Sequence, residues 1–369
     1  MKIAQVAPLY EAVPPKLYGG TERVVYNLTE ELVRQGHEVT LFASGDSRSS
    51  GILVSNVKQA LRLNPGCEDP LAHHIVQLQE VLEHAKEFDV IHFHTDYLHF
   101  PLTENLNTPH VTTLHGRLDI PDLQNVYNKF TNQPVISISN TQRKPLPQAN
   151  FIATIHHGLP FSLFQCGKGE GGYLAVLGRV SPEKGFERAI EIAKTAGIQL
   201  KIAAKVDKID KEYFEREIKH LLDHPLIEFI GEINETEKQE FLGNAMALLF
   251  PINWCEPFGL VMIEAMACGT PVIAYPMGSV PEVIQPGKSG FIVNNLEEAV
   301  AAVQQIAFLP RNIVRQTFEE KFTVERMAKD YLAVYIRMIK EKEAEIEMQL
   351  HDSKAFPISL AEKSKKAAN

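Results

Sequence analysis

Apolar residues fall along this chain either in short continuous runs or in stripes spaced three to four residues apart, and the two patterns alternate. The run KIAQVA (2–7) has the character of a buried strand. After the Pro- and Gly-rich loop PLYEAVPPKLYGG, residues 21–36 place Val24, Val25, Leu28, Leu32 and Val33 on one face of a helix that Gly36 stops. HEVTLFAS is the next strand. Strand, helix and strand in that order form a βαβ unit, which calls for a parallel sheet with helices on its faces. Further strands follow at DVIHFHT, HVTTLHG, PVISIS and FIATIHH, with helical stripes between several of them, clearest at 71–87.

The segment GKGEGG (167–172) interrupts the pattern and reads as a hinge or linker. Beyond it the alternation restarts. Strands are expected at YLAVLGRV, LKIAAKV, IEFIGE, ALLFPI and PVIAY, and helices at EKGFERAIEIAKTAG, EYFEREIKHLL, EKQEFLGNA, FGLVMIEAMACG and LEEAVAAVQQIA. The stripe FTVERMAKDYLAVYIRMI has Val324, Met327, Tyr331, Val334 and Tyr335 on one side, and a polar, charged stretch follows it. The expected division is a Rossmann-like domain over 1–166, a linker over 167–172, a second Rossmann-like domain over 173–320, a helix over 321–345 and a flexible charged tail over 346–369.

Composition narrows the class. At 369 residues, 44% hydrophobic and 22% charged, the chain has room for two well-packed domains, and disorder is excluded as its main character. Its 37 basic and 46 acidic residues give a formal charge of −9, so nucleic acid is not an expected partner. Cys67, Cys166, Cys255 and Cys268 form no C-x-x-C pair, which suits a reducing, cytoplasmic location. No signal-peptide pattern opens the chain and no apolar run reaches membrane-spanning length. The tail balances acids and bases, so peripheral membrane contact is left open without support.

In open parallel sheets, ligands bind beyond the carboxyl ends of the strands. In GRVSPEKG (178–185), Arg179 ends a strand and Lys184 opens the next helix. Two cations there make a seat for a diphosphate, or a turn with solvated cations. In WCEPFGLVMIEAMACG, Glu256 stands in a loop, Gly259 where a helix should begin, and Glu264 inside that helix. Two carboxylates flanking the free N–H groups of Gly259 and Leu260 suit sugar hydroxyls on either side of a phosphate. Alternatively Glu264 is salt-bridged to a neighbour, since a buried charge without a partner is costly.

Gly19-Gly20 before the first helix permits close backbone approach, but is not G-x-G-x-x-G. His92, His94 and Asp96 alternate on one strand, and His115 and His156-His157 end two others. They read as cleft-lining partners for ligand hydroxyls sooner than as metal ligands. Neither a G-x-S-x-G elbow nor a phosphate-binding P-loop occurs. The thiolate of Cys255 would be disfavoured by its acidic neighbour.

Together these residues resemble the retaining glycosyltransferases of family four, with their two-domain GT-B architecture. The resemblance runs over about 2–335 and is most specific in Glu256-Pro-Phe-Gly-Leu-Val-Met-Ile-Glu264, the E-x7-E pattern. GRVSPEKG, GGTERVVYNL with GHEVTLFAS, and GSVPEVI with GKSGFIV also match. It implies transfer of a hexosyl group from a nucleotide-diphosphate sugar, UDP- or GDP-linked, to a hydroxyl acceptor (glycan, lipid or small metabolite), without cofactor or metal. By the same resemblance Arg179 and Lys184 hold the diphosphate, Glu264 the ribose and Glu256 the donor sugar. The amides of Phe258, Gly259 and Leu260 complete those contacts, Gly19 and Gly20 approach from the other domain, and His115 meets the sugar near its reacting carbon. The chain departs from the family at His156-His157-Gly158, where an Asn-Gly pair is usual. A non-hydrolysing nucleotide-sugar epimerase and a non-catalytic nucleotide-sugar-binding relative share the architecture and remain the alternatives.

Overall fold

The computed structural model describes residues 1–16 and 19–355. The first seven strands are β1 (Lys2–Val6), β2 (Glu38–Phe42), β3 (Ile52–Val54), β4 (Val90–Phe93), β5 (His110–Thr113), β6 (Val135–Ser137) and β7 (Phe151–Thr154). They pair in parallel in the order β3-β2-β1-β4-β5-β6-β7. β1 and β4 are buried on both faces, which is why their sequences are near-continuous apolar runs. The helix Gly20–Arg34 seats Val24, Val25, Leu28 and Leu32 on the sheet. Each such side chain contributes on the order of 1.5–3 kcal/mol of burial.

The six strands of the second sheet are β8 (Tyr173–Arg179), β9 (Gln199–Lys205), β10 (Ile227–Gly231), β11 (Ala247–Phe250), β12 (Val272–Ala274) and β13 (Gly290–Ile292). Their order is β10-β9-β8-β11-β12-β13, again parallel. The molecule is thus built on two Rossmann-like α/β sheets, and in both the strand order reverses beside the first strand, at β1/β4 and at β8/β11. Such reversals open a crevice at the strand ends.

Some local expectations change. β3 was not expected: it is a three-residue edge strand with Ile52 exposed, too short to carry an alternation. EYFEREIKHLL is not one α-helix but a turn at Lys211–Tyr213, a π-helical Phe214–Ile218 and a 3-10 segment Lys219–Asp223. Phe214 and Ile218 turn inward, and the three charged residues between them stay outward.

GKGEGG lies against the second sheet's helices: Gly167 N donates to Cys268 O (2.9 Å), Gly169 N to Gly243 O (3.0 Å) and Gly171 N to Asn244 O (2.9 Å). A Cβ on Gly167 would stand 2.1 Å from Gly243 O, so the glycine is required by backbone contact.

The long helix Val324–Ala355 returns to the first sheet. Val324, Met327, Ala328, Tyr331, Val334 and Tyr335 join Ile3, Val24, Leu28 and Val90 in one core cluster. Gly158 permits the crossing, because a Cβ there would be 2.2 Å from Thr323 O. Residues 346–355, expected in a flexible tail, continue this helix; KEKEAEIEMQ is rich in helix formers, and Lys342 reaches Glu345 at 3.2 Å. The rest of that expected tail, 356–369, lies outside the described residues. No helix among the described residues is long and apolar enough to cross a membrane.

One carboxylate ties the two sheets' layers together. Glu282 accepts from Asn140 N (2.7 Å), Asn140 Nδ2 (3.1 Å), Thr141 N (2.8 Å) and His156 Nε2 (3.3 Å). Burial alone would raise its pKa, but these donors outweigh it and hold it down at about 2, against 4.5 ordinarily. A depressed folded-state pKa contributes stability that is present above pH 4.5 and lost as pH falls towards 2. Glu282→Gln should therefore unfold more easily than wild type at pH 6, by about 1–3 kcal/mol. In urea titrations the difference should shrink steadily as the pH drops through that window.

Candidate functional site

The carboxyl ends of the two sheets face each other across a cleft of about 1250 Å³. Arg179, Lys184, Glu256, Phe258, Gly259, Leu260 and Glu264 line it from the second sheet, and Gly19, Gly20 and His115 from the first. The ten residues to which the resemblance assigns a role therefore share one wall system. The approach is close: a Cβ on Gly20 would stand 3.6 Å from Leu260 Cδ1. Arg23, one turn into the first helix, pairs with Glu235 across the gap.

The cations sit where β8 ends. Arg179 is its last residue, and its guanidinium reaches Glu183 (2.9 Å) and Asp210 (3.2 Å). Lys184 does not open the following helix as expected. It closes a 3-10 turn, Pro182–Lys184, and the helix Phe186–Ala196 begins after Gly185. Gly185 is left-handed (φ 68), and a Cβ there would lie 2.2 Å from Pro251 O. That approach sets Lys184 against the loop after β11, with Nζ 2.5 Å from Glu256 Oε2 and 4.9 Å from the Trp254 ring centroid.

Glu256 is held by the loop GSVPE. Ser279 N donates to Glu256 O (3.0 Å), Ser279 Oγ donates to Phe258 O (2.7 Å), and a Cβ on Gly278 would meet Glu256 N at 2.3 Å. Gly259 is left-handed (φ 76) and starts the helix Leu260–Ala267, so the first N–H groups of that helix open on the cleft. Glu264 is 4% exposed and accepts from Lys238 Nζ at 2.7 Å. The salt-bridge reading of Glu264 thus holds, with the carboxylate still in the cleft wall. Lys238, Asp210 and Glu183 were missed by the sequence reading. Each follows the end of a strand (β8, β9 or β10) by a few residues, the same position that singled out Arg179.

The histidines divide. His94, His115 and His157 line the cleft, whereas His92 is fully buried behind it, bonded to Thr113 Oγ1 (2.7 Å) and the Tyr335 hydroxyl (2.6 Å). Its expected place on the ligand side is corrected by the long helix, whose tyrosines occupy that layer. Asp96 lies at the rim in a left-handed conformation (φ 50). His94 Nδ1 lies 2.8 Å from His115 Nε2, and His115 stacks on His157 at 5.3 Å. Burial pushes the His115 pKa down to about 3 and those of His94 and His157 well below the usual value, so all three are neutral at physiological pH. His157, where the family has Asn, packs edge-on against Phe258. No three His, Cys, Asp or Glu side chains converge in a metal-holding group among the described residues.

Comparison with known proteins places this geometry. The family model for glycosyl transferases group 1 matches residues 165–321, and that for glycosyltransferase family 4 matches residues 18–148. An uncharacterized glycosyltransferase of Methanocaldococcus jannaschii is 24% identical, over 91% of this chain and 98% of its own. The N-acetyl-alpha-D-glucosaminyl L-malate synthase of Bacillus anthracis is 24% identical over 88% and 95%. The solved structure of Anabaena HepE with UDP and glucose superposes with a TM-score of 0.67, at 18% identity, over 90% of this chain and 99% of that one. The fold is therefore the GT-B fold.

Removing one member of the Lys238–Glu264 pair leaves the other charge buried. Lys238→Met should destabilise the protein by roughly 3 kcal/mol, and adding Glu264→Gln should recover most of it. Equal stability of the single and double variants in urea unfolding would show that the pair is not coupled.

Proposed function

This chain belongs to the family-four-type glycosyltransferases, and from that premise we propose that it moves a hexosyl group from a UDP- or GDP-linked hexose to a hydroxyl acceptor, retaining the anomeric configuration and using no metal. One observation carries the reading: Arg179, Lys184, Glu256 and Glu264 surround the start of the helix Leu260–Ala267 at the β8/β11 reversal. An anion seated there meets two cations and free helical N–H groups, while the acids present acceptors to hydroxyls on either side of it. The UDP and glucose held by HepE, on the same fold, support that class of donor.

The cleft's acids pair with its cations, Glu183 and Asp210 with Arg179 and Glu256 with Lys184. On binding, the diphosphate takes over Arg179 from Glu183 and Asp210, and Lys184 from Glu256. Glu256 is then free to accept from the donor sugar, and Glu264 from the ribose, with Phe258, Gly259 and Leu260 contributing main-chain amides. Gly19 and Gly20 close from the opposite sheet, and His115 meets the sugar. In the step itself the acceptor oxygen bonds to the anomeric carbon as the bond to the diphosphate oxygen breaks. The electron pair departs with the diphosphate, which receives the acceptor's proton on the same face. Arg179 and Lys184 stabilise the charge that develops.

The direct test is nucleotide release from UDP-, GDP-, ADP- and TDP-sugars with EDTA present and no acceptor. Slow release from one donor is expected. Silence across the panel, with no thermal stabilisation by any nucleoside diphosphate, would favour a non-catalytic relative. With the active donor, Arg179→Ala should lower turnover by about 10²–10³-fold, on the order of 3–4 kcal/mol. Glu264→Ala should chiefly weaken nucleotide binding. Wild-type turnover in the Arg179 variant would remove that residue from the mechanism.

A further inference from the structure

A buried polar chain crosses three neighbouring strands of the first sheet and ends in the cleft. Gln5 on β1 is the register partner of His92 on β4. Both have no exposed surface. Gln5 Nε2 donates to the Tyr335 hydroxyl (3.3 Å), which lies 2.6 Å from His92 Nδ1. His92 Nε2 faces Thr113 Oγ1 (2.7 Å), which meets the Tyr331 hydroxyl (3.0 Å). The Gln5 amide thereby presents its oxygen toward the site.

The other end of that amide sets the hydrogens beyond it. With the amide in this orientation, Gln5 Oε1 lies 2.8 Å from His94 Nε2 and accepts, so His94 carries its hydrogen on Nε2. In a neutral ring Nδ1 is then a lone pair. It lies 2.8 Å from His115 Nε2, so the hydrogen of that contact belongs to His115 Nε2. His115 is left with a bare Nδ1, which is buried and has no hydrogen-bond partner in a residue lining the cleft. An unpartnered buried acceptor is costly, and a ligand hydroxyl would relieve it.

We propose that Gln5 and His94 are positioning residues that hold His115 as the Nε2-protonated tautomer, so that His115 Nδ1 takes a hydrogen bond from a substrate hydroxyl. The site thereby selects for a group that donates at that position. A hexose carrying fluorine in place of that hydroxyl offers no hydrogen and is discriminated against. This consequence for substrate choice rests on the donor-site reading above; the tautomer itself does not.

The experiment is a long-range 1H–15N correlation spectrum of the full-length, ligand-free protein labelled at histidine, at neutral pH. The His115 signals are assigned by their loss in His115→Asn. A neutral, Nε2-protonated His115 is the expected result, and an Nδ1-protonated or positively charged ring overturns the proposal. Gln5→Leu removes the acceptor that orients His94, and His115 should then show both tautomers. An unchanged single Nε2–H pattern in that variant, with the His74 and His99 signals in their wild-type positions, overturns the role of Gln5. A silent donor panel leaves this result intact, and a wrong tautomer leaves the panel intact, so the two readings fail separately.

Discussion

Charge compensation across the cleft is the constraint around which this molecule is arranged. Two parallel sheets point their carboxyl ends at one space, and the second brings Arg179, Lys184 and Lys238 into it. Cations half-withdrawn from water need partners. Glu183 and Asp210 answer the first, Glu256 the second and Glu264 the third. These cations are therefore held in ion pairs within the cleft wall, and under the function proposed above an anionic ligand would exchange for their acids.

Those pairs need loops that hold their places. The glycines supply this through contact as much as through freedom. Gly185 lies against Pro251, Gly278 against Glu256 and Gly158 against Thr323, each so close that a Cβ would collide with backbone. The first two fix the Lys184–Glu256 pair, and the third lets the chain cross back. The returning helix in turn places Tyr331 and Tyr335 on the polar layer behind the histidines. Glu282 joins the layers from the other side. The first sheet thus contributes a hydrogen-bonded layer of neutral histidines to the cleft, and the second the cations Arg179, Lys184 and Lys238.

Much of this was legible in the linear pattern because its causes are local. A strand buried on both faces reads as a near-continuous apolar run, as in β1 and β4, and a helix covering a sheet carries a stripe, as at Val24, Val25, Leu28 and Leu32. Spacing placed Glu256 in a loop and Glu264 in a helix, and the strand-end rule found Arg179. Where local causes are weak the pattern failed. β3 is three residues at an edge, and 211–223 winds irregularly because packing, not periodicity, decides which residues turn inward.

What the sequence alone determined was the class of fold and the chemical kinds of group at each strand end, since both depend on residues close together in the chain. Partnership was decided only by the tertiary structure. Lys184 and Glu256 are 72 positions apart, Lys238 and Glu264 26, and His92 and Tyr335 243. Nothing local distinguishes His92, locked behind the wall, from His94, which opens on the cleft. Their difference arises when a helix from the far end of the chain lies across one and leaves the other uncovered. Whether a buried polar atom is satisfied or left for a ligand depends on such distant neighbours, because hydrogen bonds and ion pairs act through space over a few ångströms, whatever the separation along the chain.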